Sequence, residues 1–218
     1  MALENNKAKI VETALQMFNG RGIRSVTMDD IASAMHMSKR TLYETFANKE
    51  ELLSECLKSI LEGINELHRQ AHRRADEPLL MAMYMLQVNA DSMHRYQHLM
   101  DETEHYYPEI HHRLFAGHSE KLRGMMQLGI DYLRNHNYLR ADAKTDVAVD
   151  FFCNIIQKHT PPADADLTKE RLEMNEICFT YLRGLMNTES LERYEKSEPR
   201  FREVIDSIAQ QQALHTNK

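Results

Sequence analysis

The stretch from Thr27 to Phe46, TMDDIASAMHMSKRTLYETF, leaves the chain few choices of fold around it. Thr27 is a good helix N-cap, and Asp30 three residues on closes a capping box, with Asp29 and Asp30 at the positive end of the helix dipole. Ile31, Ala32 and Met35 supply an apolar stripe at helical spacing. A second cap, Ser38, opens another short helix in which Leu42 and Phe46 lie one turn apart and face inward. Lys39, Arg40, Thr41, Tyr43 and Glu44 are left to face mostly outward. Two short helices at this spacing, the second basic and hydroxyl-rich at its start, suggest a helix-turn-helix whose second helix enters the DNA major groove.

The same residues resemble the TetR family of bacterial transcriptional regulators. Upstream lie an amphipathic first helix, then Gly20, Gly22 and Ile23, then Val26-Thr27; downstream, Ser38-Lys39-x-Thr41-Leu42-Tyr43-x-x-Phe46 runs into Lys49-Glu50-Glu51-Leu52-Leu53. Many positions coincide in order over roughly the first quarter of the chain. The sequence departs from the family pattern at the turn, where His36 stands in place of the usual Gly. Such a turn asks for a positive φ, which His tolerates better than most non-glycine residues.

Only seven Gly and five Pro in 218 residues favour helices over a turn-rich β architecture. No apolar run is long enough to cross a bilayer, and MALENNKAKI has no signal-peptide pattern. Cys56, Cys153 and Cys178 are far apart and odd in number, which points to a reducing cytoplasm rather than a disulfide framework or zinc ribbon. The net charge of −6 looks wrong for a DNA-binding protein until it is divided. The first fifty residues hold seven basic and six acidic side chains, so the acidic excess lies entirely in the remainder. A near-neutral head with a basic cluster at 39–49 permits DNA binding with a modest salt dependence per subunit.

Along the rest of the chain, Val11, Ala14, Leu15 and Phe18 give a first helix over about 5–20, with Gly20 or Gly22 at its C-cap. Asn48 caps a long helix with an apolar face from Leu52 to Leu67, ending before Pro78. Residues 78 to about 100 are apolar on more than one face, as in a helix buried on several sides. Tyr106-Tyr107-Pro108 breaks the pattern, and one long helix is expected from there to about Asn135. Further helices are expected over about 144–158 and 168–187, separated by Thr160-Pro161-Pro162, then a polar tail with a short helix over 199–212. There is no internal repeat and no β signal.

Twelve histidines raise the question of metal, since His68/His72 and His94/His98 sit at i, i+4 and Glu102-x-x-His105 and Glu109-x-x-His112 match a di-iron bundle motif. The two motifs are only seven residues apart around Tyr-Tyr-Pro, too close for facing antiparallel helices, so no metal site is assigned. Fourteen methionines, many of them between Met81 and Met126, read either as flexible core or as an adaptable apolar pocket for a small ligand. As a pocket, the candidate residues are Met81, Tyr84, Met85, His94, Tyr106, Met125 and Phe152. No nucleophile motif, phosphate loop or zinc-binding cysteine set argues for an enzyme.

The expected fold is all-α: an N-terminal three-helix helix-turn-helix DNA-binding domain over 1–50 and a C-terminal helical ligand-binding and dimerisation domain over 51–218. Arg40, with Lys39, is the candidate for base-edge contact, because Arg donates bidentately to guanine. Thr27, Ser38, Thr41, Tyr43 and Lys49 are expected at phosphates, Lys49 from a helix N-terminus. The resemblance further implies a homodimer whose last two long helices pair with their copies in a four-helix bundle, through Phe151, Ile155, Ile177, Cys178, Tyr181 and Leu185. It implies a ligand-responsive regulator, a repressor of a palindromic double-stranded operator released by an unknown small molecule, with no cofactor and no membrane partner. The alternative is a helical ligand- or metal-binding protein that lacks sequence-specific DNA binding.

Overall fold

In the computed structural model, residues 2–74, 78–158 and 167–199 are described, and they form α-helices joined by short turns. In chain order these are α1 (Ala2–Arg21), α2 (Met28–Ala34), α3 (Lys39–Thr45), α4 (Lys49–Arg74), α5 (Pro78–Tyr106), α6 (Pro108–Phe115), α7 (His118–Asn135), α8 (Thr145–Lys158) and α9 (Leu167–Leu185). A further helical stretch, α10, covers residues 188–199. The fold is all-α; the strand-like feature among the described residues is an isolated antiparallel bridge between Leu139 and Met186. No helix of the described residues is long and apolar enough to cross a membrane.

Local chemistry sets most of the boundaries. Gly22 at φ 81° ends α1, and its N–H returns to the Phe18 carbonyl at 2.9 Å. Asn48 caps α4 by accepting the Glu51 N–H at 2.8 Å. Two boundaries differ from those read in the sequence. The long helix expected up to Asn135 is broken at Ala116–Gly117, where Ala116 is extended and Gly117 takes the left-handed φ of 73°, leaving α6 and α7 as separate helices. The stretch expected as a polar tail after 187 is α10, opened by Asn187 accepting the Ser190 N–H at 2.9 Å and anchored by a buried Tyr194. The helix expected over 199–212 lies outside the described residues.

The chain divides into two compact units, Met1–Gly63 with Tyr96–Ala116, and Ile64–Arg95 with Gly117–Lys218. Helices α4 and α5 each contribute to both. The first unit buries Ile10, Ala14 and Phe18 of α1 with Ile31, Leu42, Phe46, Leu53, Leu57 and Leu99, each fully shielded from water. The second has a core from Leu79, Tyr84, Leu133, Val149, Phe152, Ile156, Cys178, Leu182 and Tyr194. Burying side chains of this size stabilises by about 1.5–3 kcal/mol each before conformational entropy is subtracted. At the base of α8 and α9 the backbone is zipped: Arg140 N–H donates to the Leu185 carbonyl at 2.9 Å and Asn187 N–H to the Tyr138 carbonyl at 3.1 Å.

Candidate nucleic-acid interface

The interface begins with the cap of α2. Thr27 is extended (φ −101°, ψ 163°), and its Oγ1 accepts the Asp30 N–H at 3.1 Å while Asp30 Oδ2 accepts the Thr27 N–H at 2.8 Å. This is the reciprocal capping box expected from the spacing. The Thr27 hydroxyl, followed by its N–H, holds the Asp30 carboxyl below its ordinary pKa. After α2, His36 adopts φ 51°, the left-handed conformation that its place in the turn demands. Its N–H donates to the Ser33 carbonyl at 3.1 Å, and that of Met37 to the Ala32 carbonyl at 3.0 Å. Ser38 then caps α3, its Oγ accepting the Thr41 N–H at 3.1 Å and lying 2.8 Å from the Thr41 Oγ1.

With Leu42 and Phe46 fully buried, α3 has one orientation available. Lys39, Arg40, Thr41 and Tyr43 are all exposed on its outer face, side by side. Both basic side chains are held by acids of the same unit: Lys39 pairs with Asp29, and Arg40 Nε donates to Glu44 Oε1 at 2.8 Å. Exposed pairs of this kind are weak and exchange readily for phosphate or base edges. Glu44 was legible as a partner from its i, i+4 spacing to Arg40; Asp29, ten residues before Lys39 on another helix, was not.

Other expected site residues fall out differently. Lys49 does not extend freely toward a phosphate: its Nζ donates to the Ile23 carbonyl at 2.5 Å, and burial lowers its pKa despite the nearby Glu102 and Asp30 carboxylates. The Thr27 and Ser38 hydroxyls are engaged in their caps. Tyr84 and Phe152 are sealed in the second unit's core, with Met81, Met85 and Met125 half-buried. The His94 side chain lies outside the described ones. Tyr106 does not join that set, because it belongs to the first unit, where the Arg24 guanidinium sits 4.9 Å from its ring centre. Glu102 of the first E-x-x-H motif accepts the Ile23 N–H at 2.5 Å, which is a structural use of its carboxylate. No group of three or more His, Cys, Asp or Glu suited to a metal ion is found among the described residues.

On α8 and α9, Phe151 stacks on Tyr181 with ring centres 3.9 Å apart, and Ile155 is half-buried. Ile177 and Val147 are about half exposed, at 48% and 52%. They line an open trough of about 710 Å³ rimmed by Arg140, Asp142, Lys144 and Glu176. Cys178 is turned into the chain's own core, where burial pushes its thiol up to about 11, and Leu185 is also buried.

Two capped helices joined by a tight turn, the second offering a basic, hydroxyl-bearing face, on an all-helical body, define a helix-turn-helix DNA-binding protein. Residues 10–56 match the model for bacterial regulatory proteins of the tetR family. The transcriptional repressor KstR2 of Mycobacterium tuberculosis is 25% identical over 153 residues, 68% of this chain and 76% of that protein. The biofilm operon regulator IcaR of Staphylococcus aureus is 30% identical over 61 residues, 28% of this chain and 33% of that one. In fold, a TetR-family regulator from Marinobacter aquaeolei VT8 superposes with a TM-score of 0.67 at 17% identity, covering 89% of this chain and 98% of that chain. Residues 10–56 thus form a TetR-family DNA-binding domain, and the chain as a whole is similar to bacterial transcriptional regulators of that family.

Proposed function

We propose that the protein is a repressor that binds a palindromic operator as a homodimer and is released by a small molecule. The observation that carries this is the outer face of α3, where Lys39, Arg40, Thr41 and Tyr43 are exposed together on a helix whose opposite side is locked by Leu42. Arg40 reads a base edge, Lys39 contacts base or phosphate, and Thr41 and Tyr43 hold phosphates. The exposed backbone around Thr27 and Ser38, at two helix N-termini, adds N–H donors to the same strand. Lys49, at the N-terminus of α4, holds a phosphate when DNA is bound, exchanging for it the Ile23 carbonyl that it holds in the free chain.

The functional division falls near residue 50, with DNA contact before it and effector binding and dimerisation over 51–218. The second copy packs on the trough between α8 and α9, through Phe151, Ile155, Ile177 and Tyr181. Its rim carries both signs, Arg140 and Lys144 against Asp142 and Glu176, so the surface can satisfy itself across a two-fold axis. The effector binds among Met81, Tyr84, Met85, His94, Met125 and Phe152. It acts only through unequal affinity for the DNA-competent and DNA-incompetent states.

The test is a gel shift with the full chain on DNA upstream of its own coding region and on duplexes it selects from a randomised pool. A discrete complex resisting non-specific competitor at low salt is expected. Persistent absence of such a complex would sink the reading.

A further inference from the structure

The turn between α1 and α2 is held by residues far away in sequence. The Ile23 N–H donates to Glu102 Oε2 at 2.5 Å, across 79 residues, and the Ile23 carbonyl accepts Lys49 Nζ at 2.5 Å. The backbone of a single residue is thus gripped at its N–H by an anion from α5 and at its carbonyl by a cation from α4. The two gripping charges attract each other as well. Gly22 makes the approach possible: a Cβ there would stand 3.0 Å and 3.2 Å from the two Glu102 carboxylate oxygens, at a φ of 81° that side chains resist. One turn beyond Glu102 on α5, Tyr106 lies under the Arg24 guanidinium. On the next helix, Arg113 donates to Ser54 of α4 at 3.1 Å.

All of these contacts lie within the first compact unit, yet α5 is one continuous helix whose part before Tyr96 belongs to the second. Charge-assisted hydrogen bonds to backbone N–H groups are short and about twice as strong as neutral ones. The N–H of the buried Ile23 also loses its partner entirely if the carboxylate withdraws. We propose that Glu102 is a positioning residue for DNA binding, which pins the Ile23 peptide to α5 and so fixes the orientation of α2 and α3. Anything that shifts α5 along or about its axis then reaches the recognition helix through this bond. The proposal rests on the DNA-binding reading above.

The test compares wild type, Glu102→Ala, Glu102→Gln and Lys49→Met as full chains. Affinity is measured on a duplex selected by the wild type and on its single-base variants, and amide exchange is followed at Ile23. Glu102→Ala is expected to weaken binding roughly tenfold on every duplex, with base preference and salt slope unchanged, and to expose the Ile23 amide. Glu102→Gln should recover much of the affinity, because its amide oxygen can still accept that N–H. Lys49→Met should combine with Glu102→Ala by less than the product of the two losses, since both hold the backbone of one residue, Ile23. An unprotected Ile23 amide in Glu102→Ala with wild-type affinity would overturn the proposal, as would altered base preference or failure of the glutamine variant to rescue. A wild type that binds no sequence specifically overturns the DNA-binding reading itself. Specific binding by the wild type with no loss in Glu102→Ala overturns this proposal alone.

Discussion

The outer face of α3 and the exposed face of α8 and α9 are both presented to solvent, and they solve opposite problems. On α3 the exposed basic groups are already paired, Lys39 with Asp29 and Arg40 with Glu44. On α8 and α9 they are apolar, Val147 and Ile177 being about half exposed beside the Phe151–Tyr181 stack. A face of the first kind binds by exchanging partners, so its affinity depends on salt and geometry more than on area. A face of the second kind gains by losing water, which added salt does not screen and which is unselective unless its rim adds charge. Self-association and operator recognition should therefore respond to different perturbations.

The strongest way to break that contrast is to put a charge on the apolar face. Ile177→Glu should weaken self-association by about a hundredfold or more, read by sedimentation, because an unpaired carboxylate cannot be buried cheaply. Since Ile177 is 48% exposed in the single chain, its melting as a monomer should change little. A dimer that survived the change would move the interface elsewhere. Next in size, Arg40→Ala should cost roughly 1–3 kcal/mol on the preferred duplex and flatten base preference at one position per half-site, measured by competition binding. Lys39→Ala would sharpen the distinction if it weakened all sequences about equally and reduced the salt slope by about 1.

Smaller effects probe the frame that holds α3. His36→Gly should stabilise the chain by about 1 kcal/mol in urea unfolding, because the φ of 51° costs glycine nothing. Smallest is a titration. Asp30 has a folded pKa below its ordinary value, so its contribution to stability is present above that ordinary value and fades as pH falls through the folded one. Thr27→Val removes the hydroxyl that is the leading cause, and NMR should show the Asp30 titration moving up.

What could be read in the sequence follows the range of the interactions. The capping box, the Ser38 cap, the inward Leu42 and the positive φ at His36 are set by residues within four positions of each other, and each was legible. The break at Gly117 was missed because a lone glycine inside a periodic segment is compatible with an unbroken helix. Helix α10 was missed because its surface is mostly charged and its apolar anchors are only Tyr194, buried, and Leu191, packed against the core. The contact that Lys49 makes in the chain was silent for a different reason. Its position at a helix N-terminus suits a phosphate, but its partner, the Ile23 carbonyl, is a backbone group that no side-chain pattern announces. The Glu102 contact, 79 residues from its partner, is equally silent in the sequence.

The backbone bonds that join residues 138–140 to 185–187 have a consequence for how such a chain can vary. They tie the residues just before α8 to the end of α9, so the chain from α8 to α9 starts and finishes at one clasp. Closing a longer flexible loop costs only about 0.6 kcal/mol per doubling of its length. Insertions between α8 and α9 should thus be absorbed almost freely, while the register of the two helices stays set at their base.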